Sequence, residues 1–326
     1  MMKQEVETVA SEWRFTTKDL AEKSELLMPG HRACAGCGPA IAYRQILKAT
    51  RGPVIATNAT GCMEVVTTIY PYTSWRIPWI HTAFENVAAN ASGIDAALKA
   101  MKKKGQLKYD QVDIIAFAGD GGTYDIGIQA LSGAVERGHD FLYVLYDNEA
   151  YMNTGVQRSG STPQYASTTT TPVGKIWRGK KERRKNVPLI MATHKIPYIA
   201  TASIAYIPDL RRKVEKAAKV TSGGEGLAYL HIQQPCPTGW YFPTEKTVEV
   251  GRLAVQTGMW PILEIENGVT KLTVKPRKLK PVEEYLKLQR RFRHVSKEQI
   301  ATIQSEVDKD WESWLALEKL GKLPWY

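Results

Sequence analysis

No apolar run in this 326-residue chain reaches the roughly 20 residues that a membrane-spanning helix needs. Its start, Met1-Met2-Lys3-Gln4-Glu5, also lacks the basic-then-apolar pattern of a secretory signal. The expectation is a cytoplasmic protein with no membrane partner. Cysteine is scarce: Cys34, Cys37, Cys62 and Cys236 are the four in the chain, and a reducing compartment argues against disulfides among them. RNP-like aromatic strands, zinc-finger spacings and basic heptads are all missing. The net charge of +11, from 44 Lys and Arg against 33 Asp and Glu, therefore does not point to nucleic acid. It suits acidic partners or anionic ligands, or simply a solvated basic surface. With 43% hydrophobic and 24% charged residues, the chain has an ordinary globular composition and the length for a full α/β core.

What is present is organised around residues 119–155. An apolar run, residues 112–118, leads into Gly119-Asp120-Gly121-Gly122; a helical stretch over 125–138 follows, then an apolar strand over 141–146 ending in Asp147-Asn148-Glu149-Ala150. That is one βαβ unit, and parallel strands place Asp120 and Asn148 at the same carboxyl edge, where open α/β sheets bind ligands. Asp-Gly is also a common turn signal. The 26 residues between Gly121 and Asn148, with a strand before and a helix between, make more of it than a turn. Two oxygen ligands from neighbouring strand ends suit a Mg²⁺ that draws its other ligands from water and a diphosphate. The glycines would let the backbone approach that diphosphate.

The cysteines converge on the same edge. Cys62 follows the short strand 54–57, and Cys236 follows the apolar strand 227–232. Cys34 and Cys37 form a Cys-x-x-Cys pair ahead of a helix over 40–50. Spacing alone leaves four readings open: a thioredoxin-like dithiol, a structural zinc, a [4Fe–4S] cluster, or unligated core cysteines. Position favours a redox centre beside a reactive cofactor, since a zinc staple has no reason to sit on a ligand-binding edge.

Around this centre the chain divides into an N-terminal arm, residues 1–28, with a short helical reading over 17–27. An α/β domain over 29–240 and a C-terminal extension over 241–326 follow. Residues 157–186 lack periodicity and form an inserted loop, read either as a subunit contact or as a solvated basic loop. Helices are expected over 84–103, 187–193, 209–219 and 245–257, a strand over 198–203, and a hairpin through Asn267-Gly268. Trp311 and Trp314, three apart on a terminal helix, read as a docking stripe.

Taken together, Cys34-Ala-Gly-Cys37-Gly, Ala59-Thr-Gly-Cys62-Met-Glu-Val, Pro71-Tyr-Thr-Ser-Trp75, Phe84-Glu-Asn-Val, the Gly119-Asp-Gly-Gly motif and Asp147-Asn-Glu-Ala-Tyr-Met-Asn-Thr-Gly resemble the β subunits of the multi-subunit 2-oxoacid:ferredoxin oxidoreductases, of the pyruvate:ferredoxin oxidoreductase type. The resemblance runs over nearly the whole chain, including Arg291-Phe292-Arg293. One departure is Glu149, where the thiamine-diphosphate (ThDP) signature usually has a second Asn. The resemblance implies a doubly wound, mostly parallel ThDP-binding α/β fold with a C-terminal α+β extension. It also implies ThDP, Mg²⁺ held by Asp120, Asn148 and the Ala150 carbonyl, and one [4Fe–4S] cluster on Cys34, Cys37, Cys62 and Cys236. Thr60, Gly61, Cys62, Met63, Gly119, Gly121, Gly122, Asn153 and Thr154 are expected at the cofactor, with Asn153 the polar contact to the reacting centre. Its partners would be a pyrimidine-domain subunit that supplies the activating Glu, a ferredoxin-like cluster subunit and ferredoxin. Its substrates would be a 2-oxoacid and CoA.

Overall fold

The computed structural model describes residues 22–50 and 52–326. Most of the expected arm, with the start of its helical reading, lies outside them. At the centre are strands that are buried on both faces: β3 (Asp113–Gly119), β4 (Leu142–Asp147), β5 (Tyr198–Ser203) and β6 (Ala228–Gln233). Continuous apolar runs of this kind are what a parallel sheet covered by helices requires. With β1 (Val54–Ala59), β2 (Trp79–Thr82), β7 (Ile262–Glu266) and β8 (Val269–Val274), they form an eight-stranded sheet in the order β2-β1-β3-β4-β6-β5-β7-β8. The first six strands are parallel. β7 runs antiparallel to β5, and β8 antiparallel to β7 through the expected Asn267-Gly268 turn.

Helices cover both faces. One core contains Tyr43, Ile46 and Leu47 of α1 (Gly38–Ala49) against Phe117, Val144 and Leu230; the opposite core contains Val87 and Ala91 of α3 (Val87–Lys103) against Tyr143, Leu145 and Tyr229. Between them in the chain lies the short α2 (Cys62–Thr67). Right after β3 the backbone takes a π turn, Gly121–Ile126, before α4 (Ile128–Glu136), so the helix read over 125–138 starts with a wider winding. Such π turns recur at functional sites. Helices α5 (Val187–Thr193) and α6 (Ile207–Ser222) flank β5. The one-turn α7 (Pro237–Trp240) starts at Cys236. A third core gathers Trp240 of α7, Val250 and Ala254 of α8 (Thr247–Gln256), Trp260 beyond it, Tyr285 of α9 (Val282–Lys287) and Phe292 of the following turn. The chain closes with α10 (Lys297–Leu320), started by a Ser296/Gln299 capping box.

Two expectations change. Trp314 is 6% exposed and packs into the core with Leu272 and Leu323, so it is no docking stripe; Trp311 packs partly buried against the same core. Residues 157–186 are not simply an outward loop: Ser159, Ser161, Thr162 and Lys180 are buried, while residues 172–178, with Ile176 and Trp177, and most of 181–186 are exposed. Aperiodic polar residues read as solvated, yet here they satisfy buried polar groups of the sheet edge.

Candidate active site

Four strands that are neighbours in the sheet, β1, β3, β4 and β6, end on one edge. Their continuations carry Thr60-Gly61-Cys62, Asp120-Gly121-Gly122, Asn148-Glu149-Ala150 and Pro235-Cys236. Of the residues expected at a cofactor, Thr60, Gly61, Cys62, Gly119, Asp120, Gly121, Gly122, Asn148, Ala150, Asn153 and Thr154 line one cleft. Met63 does not; it is fully buried in the core beside Tyr43 and Tyr146. Phe84, Tyr146, Tyr151 and Met152 also line the cleft; Tyr146 belongs to an apolar strand, where an aromatic residue carries no sign of which way it faces. The cleft is small, about 20 Å³.

The glycines are dictated by contacts. A Cβ on Gly121 would sit 2.2 Å from the Tyr151 ring, and one on Gly61 would sit 2.6 Å from the Tyr146 hydroxyl. Tyr151 donates to the Gly121 carbonyl at 3.1 Å and to Asp125 at 3.2 Å, which ties the π turn to the loop after β4.

Asp120 is 1% exposed and accepts a short hydrogen bond from Ser159 Oγ. Burial, and next the nearby Asp147 carboxylate, push its pKa well above the ordinary carboxylate range, so the ionised form wants a cation. One end of the Asn148 carboxamide lies 2.8 Å from the Ala150 carbonyl oxygen and 2.9 Å from Asp120 Oδ1. With its nitrogen there, the amide donates two hydrogen bonds. With its oxygen there, it faces the Ala150 and Asp120 oxygens at about the 3 Å spacing of adjacent corners of an octahedron with metal–oxygen distances near 2.1 Å. The donor set and its spacing fit Mg²⁺.

The floor beneath these ligands is braced. Asp147 is fully buried, 2.7 Å from His231 Nε2, accepts from Ser161 Oγ at 2.5 Å, and accepts from the Glu149 amide at 2.9 Å. Burial works against the Asp147 charge, but His231, Ser161 and Arg184 together outweigh it and its pKa ends below the ordinary value. Burial lowers that of His231, so the neutral ring donates from Nε2. Glu149 is 1% exposed with φ +65, a left-handed conformation in which Asn is enriched among non-glycine residues. Arg291 Nη2 pairs with its carboxylate, and Arg184 Nη1 lies 3.5 Å away. The inserted segment works as a strap: Ser159 holds Asp120, Ser161 holds Asp147, and Thr162 donates to the Glu149 carbonyl at 2.6 Å. Nothing periodic announces the strap; the one available signal is its density of hydroxyls next to a buried acidic edge.

The thiols gather from separate segments. Cys34 is exposed, and Cys37, Cys62 and Cys236 are partly buried. Each of the four is electrostatically coupled to the other three, and Cys62 is also coupled to Asp120. Burial pushes the Cys37 thiol up to about 12 and raises those of Cys62 and Cys236. Among the described residues, no three His, Cys, Asp or Glu side chains converge on a single metal ion. A larger cavity, about 270 Å³, lies elsewhere, between the strap and the C-terminal helices around Arg184, His231 and Trp260.

Known proteins resemble this chain in sequence and fold. Residues 59–232 match the thiamine pyrophosphate enzyme, C-terminal TPP binding domain. The chain is 58% identical over 288 residues to pyruvate synthase subunit PorB of Methanocaldococcus jannaschii, covering 88% of this chain and 95% of the relative. It is 48% identical over 303 residues to ketoisovalerate oxidoreductase subunit VorB of Pyrococcus abyssi, covering 92% and 94%. A 2-oxoglutarate:ferredoxin oxidoreductase from Magnetococcus marinus shares the fold at TM-score 0.54 and 20% identity, over 72% of this chain and 80% of that one.

Proposed function

We propose that this chain, which belongs to the thiamine-pyrophosphate enzymes and, within them, to the PorB-type subunits of 2-oxoacid:ferredoxin oxidoreductases, is the subunit that carries both ThDP with its Mg²⁺ and a [4Fe–4S] cluster. The reaction is the CoA-dependent oxidative decarboxylation of pyruvate to acetyl-CoA and CO₂, with electrons passed to ferredoxin. The observation that carries the reading is the shared rim: the oxygen set Asp120, Asn148 and Ala150 stands on the strand ends that neighbour Cys62 and Cys236. When bound, ThDP supplies the electron sink for decarboxylation and the cluster a one-electron acceptor.

This chain's residues bind and orient. Asp120, Asn148 and the Ala150 carbonyl hold the Mg²⁺. Gly121 lets the Tyr151 ring pack directly against the turn that bears Asp120. Thr60, Gly61 and Cys62 wall the cleft. Asn153 and Thr154, exposed at its rim, face the substrate side, with Asn153 the polar contact to the reacting carbon. Thiols that follow β1 and β6, on the same edge as the oxygen set, favour a redox cluster beside the cofactor over a zinc staple, which has no reason to sit on a ligand-binding edge. The cleft, about 20 Å³, encloses far less than a ThDP molecule. That supports a second, pyrimidine-binding subunit that closes over the cofactor and supplies the activating Glu, with a ferredoxin-like cluster subunit relaying electrons onward.

The test is the complex purified with its partner subunits and assayed with CoA, a viologen dye and a panel of 2-oxoacids. Dye reduction that depends on pyruvate is expected; no reduction with any 2-oxoacid would overturn the reading. A branched-chain preference is the second reading, favoured by the 48% identical ketoisovalerate oxidoreductase relative. It would show as faster turnover of 3-methyl-2-oxobutanoate.

A further inference from the structure

Arg291 comes from a turn 142 residues beyond Glu149, yet it is 3% exposed and pairs with that buried carboxylate. Its guanidinium lies 4.0 Å over the Trp240 ring. Trp240 donates from Nε1 to the Asn148 carbonyl at 2.8 Å and from its backbone to the Cys236 carbonyl at 2.9 Å. Gln289 Oε1 accepts from Arg291 Nε at 2.9 Å and fixes the fork. One planar cation thus touches the loop that bears Asn148 and Ala150, and also the indole that joins this loop to the Cys236 turn.

A buried ion pair is a poor device for stability alone, since well-packed apolar residues of similar volume often serve as well or better. A charge kept here, stacked and forked, has other work to do. We infer that Arg291 is a positioning residue common to both halves of the site. It fixes the Asn148–Ala150 loop through Glu149 and Trp240, and its charge stabilises the reduced, more negative state of the cluster at Cys236. The inference rests on the cluster reading above. An electron accepted by the cluster adds one negative charge to a partly buried thiolate set, and a fixed cation nearby favours that state over the oxidised one.

The experiment uses the whole complex with its partner subunits. Glu149→Gln is compared with Glu149→Gln/Arg291→Met, so that the loss of the guanidinium leaves no unpaired buried carboxylate. Iron and labile sulfide, retained ThDP, and the cluster's midpoint potential, from a redox titration followed by electron paramagnetic resonance, are measured in each. The double variant is expected to keep its iron, to have a more negative midpoint potential than Glu149→Gln, and to retain ThDP about tenfold less tightly. Arg291→Lys keeps the charge but loses the fork and the stack: ThDP retention falls while the potential stays near that of the native protein. A full iron content with an unchanged potential in the double variant would overturn the inference, as would a potential that drops in Arg291→Lys as far as in the double variant. A native complex without iron would instead overturn the cluster reading, and the iron assay tells the two failures apart.

Discussion

The two halves of this site are built differently. The oxygen half, Asp120, Asn148 and Ala150, stands on adjacent strand ends, is almost fully buried, and is held by the strap through Ser159, Ser161 and Thr162. The thiol half comes from three separate segments, the Cys34–Cys37 pair, Cys62 and Cys236, and ranges from exposed Cys34 to partly buried Cys62. The Cys236 Sγ accepts a 3.3 Å hydrogen bond from Gly239, and the Cys37 amide bonds the Cys34 carbonyl at 3.1 Å. The fold thus braces the oxygen half with more hydrogen bonds than it gives the sulfurs. Removing a ligand from one half should leave the other standing.

The largest effects test that independence. Asp120→Ala is expected to abolish ThDP retention while leaving iron content intact, and Cys62→Ala to bleach the protein's visible absorption while ThDP remains. Joint loss of both cofactors in either variant would show that the halves are one unit. Next comes Gly121→Ala, which drives a methyl into the Tyr151 ring. It should cost about 1–3 kcal/mol in denaturant unfolding and weaken ThDP binding, with iron unaffected. Ser159→Ala removes the strap hydroxyl from Asp120 and should weaken Mg²⁺-dependent ThDP binding by about 1 kcal/mol in a calorimetric titration.

The smallest effect concerns the strap's buried lysine. Lys180 donates to the Thr162 carbonyl at 2.6 Å, and burial lowers its pKa from an ordinary 10.5 to about 8. Between those values the unfolded chain binds more protons than the folded one, so this group's contribution rises with pH from about 8 to 10.5. Relative to Lys180→Met, the native protein should therefore gain on the order of 1 kcal/mol in urea unfolding between pH 7.5 and 10. A constant difference would place this lysine in water.

The sequence exposes the oxygen half plainly because its signal is local: an apolar run, a Gly-Asp-Gly turn, and an Asn at the end of the next strand. Strands β3 to β6 were legible for the same reason, each a short apolar run of strand length. The braces were not. Glu149 meets Arg291 across 142 residues, and Ser159 meets Asp120 across 39, so neither pairing leaves a periodic trace. Trp314 misled because apolar spacing on a helix marks a buried face without saying what buries it; here β8 and the chain's last residues do. Met63 misled in a similar way: adjacent to Cys62 in sequence, it turns into the core while its neighbour faces the cleft.

The central claim is that electrons leave the cofactor held by the oxygen half through the thiol half beside it. The most direct measurement is the visible spectrum of the anaerobic complex on addition of pyruvate and CoA, in the native protein and in Asp120→Ala. The account predicts partial bleaching of the cluster band in the native complex and none in Asp120→Ala, at equal iron content. Turnover of pyruvate by a native complex whose thiols hold zinc, or whose cluster stays oxidised throughout without ferredoxin or dye, would contradict it.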